Sequence, residues 1–417
     1  MERKSFDVCV VGAGPAGATA ACRLAERGID ALLVDRAHFP RDKVCGDGVG
    51  PRAVRVLEKL GLYPSEGFPG GYSLEGIRIG SPNQGVLEVP VGEGDPEAKA
   101  GYVIPRERFD GWLLEQAVKK GARLWGGLDV RQVEKQKGGL KISGSMEGRP
   151  LSVTARFAIG AWGAQAGKVA GPHPARVGGG RFAVIAMRAY FTGLQGVGPY
   201  LEIHFDPGLV PGYGWVFPTG PESANIGYGM RQDFLRKKGI PLRRLFEGFL
   251  GTNPSVRRYL EKGKRVSPLR GAVIPFRKAR LPVARGRLLL TGDAAGFADP
   301  LSGEGIGTAM QSGWMAADCV ANALRHGIPT RLASTAYASS CRKEIVWNLG
   351  LASLVQAILI RPPFGSTDRI LDAFVEKARG NPRMARALAR LIIGDLSRTA
   401  FLDARNWGKL WRAWRQP

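Results

Sequence analysis

The chain is poor in the residues that hold metals or staple loops. Its five cysteines, Cys9, Cys22, Cys45, Cys319 and Cys341, form no CxxC pair, and with only four histidines they build no cluster of metal-ligand spacing. Neither a disulfide framework nor a metal site is expected, and a reducing compartment fits. Long apolar runs are scarce too. The longest, Ile345 to Ile360, has 16 residues and carries Asn348, Ser353 and Gln356, short of the roughly 20 apolar residues that span a bilayer. A buried or interfacial helix is expected there. The opening MERKSFD is too short and polar for a signal peptide, which points to the cytoplasm, with room for peripheral contact with a membrane. Acidic residues are outnumbered, 36 against 60 basic, for a net charge of +24. That excess attracts polyanions: nucleic acid, an anionic membrane or a phosphorylated substrate. No block of five like charges and no nucleic-acid motif occurs, so no nucleic-acid partner is expected.

What is present begins at once. Val8 to Val11 is a short β-branched run, Gly12-Ala13-Gly14-Pro15-Ala16-Gly17 follows, and Ala18 to Arg27 reads as an alanine-rich helix closed by Gly28. A second apolar run, Ala31 to Val34, ends in Asp35. This is GxGxxG in its confirming setting of strand, turn and helix, with an acid at the end of the next strand. The first glycine permits the tight turn, the second admits a pyrophosphate to the backbone, and the third lets helix pack on strand. Unpaired N–H groups at the helix start face the anion. Gly12, Gly14, Ala16, Gly17 and Asp35 are thus candidates for dinucleotide binding, Asp35 through ribose hydroxyls. The motif alone does not choose between NAD and FAD. No second GxGxxG exists, so any nicotinamide donor must dock transiently.

Far downstream, Arg287 to Thr291 reads as a strand, Gly292-Asp293 as its turn, and Gly303 to Gly307 opens a helix running to about His326. Here the sequence resembles the FAD-dependent oxidoreductases of the para-hydroxybenzoate hydroxylase type. The resemblance implies that Asp293 bonds the ribityl chain and that Gly305 and Ile306 lie against N1 and the C2 carbonyl of the isoalloxazine. A helix N-terminus at that place would stabilise the anion formed on reduction. Gly101 to Leu124 matches the R-x-x-F-D-x-x-L stretch of the same proteins, which implies Arg106 near the ribityl and pyrophosphate groups and Val130 beside the adenine. One turn departs from the pattern. Those families read G-A-D-G where this chain has Gly160-Ala161-Trp162-Gly163.

Between Arg181 and Met230 the apolar period changes to two in four runs separated by turn signals, which reads as an antiparallel meander. On its third strand Tyr213, Trp215 and Phe217 alternate with Gly214 and Val216, so three aromatic side chains share one face. Composition leaves that face open as a ligand wall or as sheet core. Tyr213-x-Trp215-x-Phe217-Pro218, Leu290-x-Gly292-Asp293 and the loop Arg41-Asp42-Lys43-Val44-Cys45-Gly46-Asp47-Gly48-Val49 together resemble the geranylgeranyl reductase family. That resemblance covers residues 7 to about 330. It implies FAD contacts from Cys45, Gly46 and Gly48, and a substrate site at Tyr213, Trp215, Phe217 and Pro218. It further implies a hydrophobic prenyl substrate whose C=C bond accepts hydride from reduced flavin, with NADPH or reduced ferredoxin as external donor. Cys45 would shape the site, tune the ring or deliver a proton. The alternative is a flavin monooxygenase or halogenase. Halogenases read G-W-x-W-x-I-P where this chain has Gly212-Tyr213-Gly214-Trp215-Val216-Phe217-Pro218.

The expected architecture is α/β. A Rossmann-type FAD-binding domain like that of para-hydroxybenzoate hydroxylase (1–75, 101–176 and 277–330) receives an inserted antiparallel β-sheet substrate domain (76–100 and 177–276). A helical C-terminal segment (331–417) follows, in which Trp407, Trp411 and Trp414 fall at helical spacing among basic residues.

Overall fold

A computed structural model describes residues 5–395, apart from 66, 92–100, 166–168, 172–178, 208–209, 279–280 and 361–365. Trp407, Trp411 and Trp414 lie outside the described residues.

The first sheet is built around Ser5–Val11, whose last four residues are all buried. It pairs in parallel with Ala31–Asp35 on one side and Arg149–Gly160 on the other. Arg123–Gly126 and Leu288–Leu290 extend the parallel set outward. Helices Pro15–Glu26 and Ile306–Arg325, packed on each other, cover one side of it. A parallel strand covered on both faces must be apolar throughout, which is why Val8 to Val11 reads as a continuous run. The hairpin Leu128–Gln136 and Gly139–Met146 adds antiparallel strands to Arg149–Gly160.

The second sheet runs in the order Lys264–Arg265, Ala183–Thr192, Ser223–Arg231, Tyr213–Gly220, Tyr200–His204, Gly76–Ser81, Gly85–Pro90, with Arg270–Pro275 also on Ala183–Thr192. It corrects the expected pure antiparallel meander. Tyr200–His204 pairs in parallel with Gly76–Ser81, Ile203 opposite Ile79. The physical reason is connectivity: a hairpin forces antiparallel pairing, whereas these two strands are joined by a long excursion through the first sheet and can meet in either sense.

One face of this sheet packs Val216, Ile226 and Tyr228 against Phe246 and Phe249 of the helix Leu242–Thr252. The other face carries Tyr213, Trp215 and Phe217 and is roofed by C-terminal helices. Val375 and Ala378 of Thr367–Arg379, with Ala385 and Ala389 of Pro382–Ile392, close on Ile77, Ile79, Leu87 and Val89. Trp347–Ile360 completes the roof. A small third sheet, Gly48–Val49, Tyr102–Val103 and Tyr72–Ser73, lies in the loop region beside the aromatic strand.

Candidate active site

At the nucleotide end, Gly12 has φ +105°, and a Cβ there would lie 2.3 Å from the Ala161 carbonyl oxygen. The divergent Gly160–Gly163 turn therefore has a packing role: its backbone rests on the glycine loop. Gly14 is different. It precedes the helix Pro15–Glu26 without a side-chain cap, and a Cβ on it would meet only the Arg41 guanidinium, at 3.6 Å. The open space over Gly14, the helix N-terminus and Arg41 together make an anion cradle. Asp35 closes one side, accepting N–H bonds from Ala13 at 2.7 Å and Ala37 at 2.8 Å. The residues present fit a dinucleotide such as FAD.

Arg106 is 3 % exposed and grips Asp110 in two bonds of 2.7 Å, while Arg41 reaches the same carboxylate at 3.0 Å. The Cys45 thiol lies against the Arg106 guanidinium and the Asp47 N–H. Burial pushes the thiol above its ordinary value, and the pull of Arg106 only partly opposes this. Cys45 is a protonated thiol at neutral pH.

Asp47 and its partners escaped the sequence reading. Asp47 is fully buried with φ 66°, a left-handed backbone rare outside glycine. Its Oδ2 accepts from the Tyr190 hydroxyl at 2.6 Å and from Asn225 Nδ2 at 2.7 Å, while Oδ1 has no hydrogen-bond partner. Burial pushes its pKa up to about 6, against those two bonds and the nearby Arg106 and Arg188. Asn225 is the clasp. Its Nδ2 also donates to the Cys45 carbonyl at 2.7 Å, and its Oδ1 accepts from Trp215 Nε1 at 3.0 Å. One amide thus ties the cysteine loop to the aromatic strand. A polar residue at an inward position of an otherwise apolar strand was the available signal.

At the far end, Asp293 sits in the turn Gly292–Ala295 with Lys43 Nζ 3.4 Å from its Oδ2. Gly305 precedes the helix Ile306–Arg325, and a Cβ on it would lie 3.6 Å from Asp293 Oδ1. The expected acid and the expected helix start are neighbours. Cys45, Gly46, Gly48, Gly305 and Ile306 meet Phe217 around a cavity of about 90 Å³. Gly46 and Phe217 also line the adjoining cavity of about 280 Å³.

That larger cavity lies against Tyr213, Trp215 and Phe217, with adjacent ring centroids 6.3 and 6.1 Å apart. Tyr213 is anchored by donating to the Ser302 carbonyl at 2.8 Å, and Trp215 by Asn225. Ile79, Ile203, Met230 and Ile274 line it from the sheet, and Leu359, Leu371, Val375 and Leu388 from the helices. The one charged wall residue among the described residues, Arg231, is already engaged by Asp233 at 2.8 and 2.5 Å. One expected residue stands apart. Pro218 falls on the opposite face of its strand from the three rings and is not among the cavity walls. Val130 lies in the first sheet opposite Gly144 with its side chain in the core, which leaves its backbone for the expected adenine contact.

A model of an FAD binding domain matches residues 5–174. The menaquinone reductase of Mycobacterium tuberculosis is 33 % identical over 323 residues, 75 % of this chain and 76 % of that protein. Digeranylgeranylglycerophospholipid reductase 1 of Methanopyrus kandleri is 32 % identical over 333 residues, 76 % of this chain and 81 % of that protein. The chain belongs to the geranylgeranyl reductase family. It is an FAD-dependent oxidoreductase with the Rossmann-type flavoprotein fold. Solved structures agree on the fold. A geranylgeranyl bacteriochlorophyll reductase-like protein from Thermoplasma acidophilum superposes with a TM-score of 0.81 at 23 % identity, over 98 % of this chain and all of that one. A flavin-dependent brominase gives 0.77 at 19 %, over 98 % and 99 %. The halogenase likeness is one of fold, whereas the two sequence relatives named above are reductases.

Proposed function

We propose that this member of the family saturates C=C bonds of an isoprenoid lipid, with NADPH or reduced ferredoxin as a transiently docking donor. The observation that carries the reading is the apolar cavity walled by Tyr213, Trp215 and Phe217, which adjoins the cysteine loop and the helix N-terminus at Gly305. The relatives named above act on menaquinone and digeranylgeranylglycerophospholipids, both of which carry prenyl chains.

FAD, when bound and reduced, supplies hydride. In this reading Gly14, Ala16, Gly17 and Arg41 receive its pyrophosphate, Asp35 its ribose, Asp293 its ribityl chain, and Gly305 and Ile306 its ring. An isolated alkene offers no polar handle, so the aromatic wall works by excluding water and holding the double bond in one place. Positioning of this kind supplies up to about 7–11 kcal/mol of a barrier when the reacting atoms are held near contact. The carbon that receives no hydride needs a proton, and Cys45 Sγ holds one beside Gly46. Asp47 and Asn225 fix that loop against the wall. Chain length is read loosely, because each methylene in such a pocket discriminates by only about 1–3 kcal/mol.

The test is anaerobic incubation of dithionite-reduced holoprotein with menaquinone and geranylgeranyl lipids, followed by mass spectrometry. Prenyl chains heavier by two hydrogens, read after air reoxidation of any quinol so that reduction of the quinone ring is not counted, are expected. Unchanged lipids throughout, or oxygenated and halogenated products in air, overturn the proposal.

A further inference from the structure

The helix Trp347–Ile360 has two apolar sides and no charged residue. Leu359 and Ile360 line the larger cavity. Trp347, Leu354 and Ile358 are 56, 57 and 47 % exposed. Their spacing of seven and four puts them on one outward stripe. Val355 belongs to both sides, lining the cavity while 40 % exposed, so the cavity wall here is a single helix thick. The stripe ends a continuous helical run, Thr330–Ile360, of which the most apolar 18-residue window is only 22 % buried. Scattered exposed apolar residues need no explanation, but a stripe on one helix marks a surface that something covers.

The charge around it says what covers it. Arg342 and Lys343 are exposed one turn before Trp347; Glu344 beside them lies 3.9 Å from Lys343 Nζ, so the turn keeps one net positive charge, on a chain of net charge +24. An outward apolar stripe with an aromatic residue, entered from a turn of net positive charge, suits contact with the surface of an anionic bilayer. We propose that this face docks on an anionic bilayer, with the helix in the interfacial plane, so that a lipid tail passes beside Val355 into the cavity. The passage of substrate rests on the prenyl-reductase reading, whereas the docking is measured without any turnover.

The experiment floats the flavin-loaded full-length protein with vesicles of phosphatidylcholine alone or mixed with phosphatidylglycerol. Flotation with the mixed vesicles is expected, weakened by salt. Leu354→Glu/Ile358→Glu is expected to lower partitioning at least tenfold with flavin content and melting unchanged. Arg342→Glu/Lys343→Glu lowers it roughly fivefold or more per residue, at about 1 kcal/mol for each basic group near the surface, and decides the matter if the first variant does not fold. Wild-type protein that stays with the soluble fraction, or variants that float as well as wild type, overturn the proposal. So does a dimer in light scattering that Leu354→Glu/Ile358→Glu dissociates, since the face then belongs to a second copy. Loss of prenyl reduction with flotation intact would fault the proposed reaction and leave the docking standing.

Discussion

Replacing Asp47 by Asn tests whether a buried carboxylate is held at a cost under the active site. Its pKa moves from 3.8 to about 6 on folding. A carboxyl raised in the folded state binds its proton more tightly there, so its contribution to stability is full below 3.8 and is lost as pH climbs through about 6. Two units at about 1.4 kcal/mol each make that loss about 3 kcal/mol, complete by neutral pH. Asn keeps a carbonyl for the Tyr190 hydroxyl and Asn225 Nδ2 but carries no charge. Its amide nitrogen, placed where Oδ1 has no partner, adds a penalty of about 1–3 kcal/mol that does not depend on pH. The diagnostic is therefore the shape of the difference, not its absolute value. Melting temperatures of wild type and variant, followed from pH 4 to pH 8, should diverge in the variant's favour between pH 4 and pH 6.5 and run parallel above. A difference that is constant over the whole range refutes the argument.

Gly14→Ala is expected to fold but to bind FAD at least a hundredfold more weakly, because its Cβ enters only the anion cradle; flavin absorbance after purification and the apoprotein melting curve check this. Gly17→Ala is expected to unfold the chain, since its Cβ would fall 1.7 Å from the Gly12 carbonyl oxygen. Arg106→Gln leaves Asp110, 0 % exposed, with Arg41 as its remaining cation, a loss of about 3–5 kcal/mol that a denaturation curve would read. Asn225→Ala orphans the Trp215 indole N–H and unties the Cys45 carbonyl, for about 1–3 kcal/mol per group. A shift in the bound-flavin spectrum distinguishes that loosened loop from a general loss of stability.

Much of the nucleotide half was legible because its chemistry is local. The glycine turn, the helix it starts and Asp35 lie within some two dozen residues, and each is demanded by backbone geometry. The turn at Asp293 and the helix start after Gly305 were legible for the same reason. Alternation in Tyr213 to Phe217 placed three rings on one face, but period two cannot say which face is lined by a cavity.

Tertiary structure decided that. Val216 went to the helix Leu242–Thr252, and the rings were left to face helices from the far end of the chain. Pro218, named by its motif, turned away because alternation carries position 218 to the other side. The clasp at Asn225 joins residues 178 positions apart, and Tyr190 reaches Asp47 across 143. A hydrogen bond of that span exists only after two sheets have closed around the loop. The sequence by itself determined the turns, the helix starts and the alternating faces, since these are properties of neighbouring residues. Which faces meet, and what is buried between them, followed from the packing of distant segments.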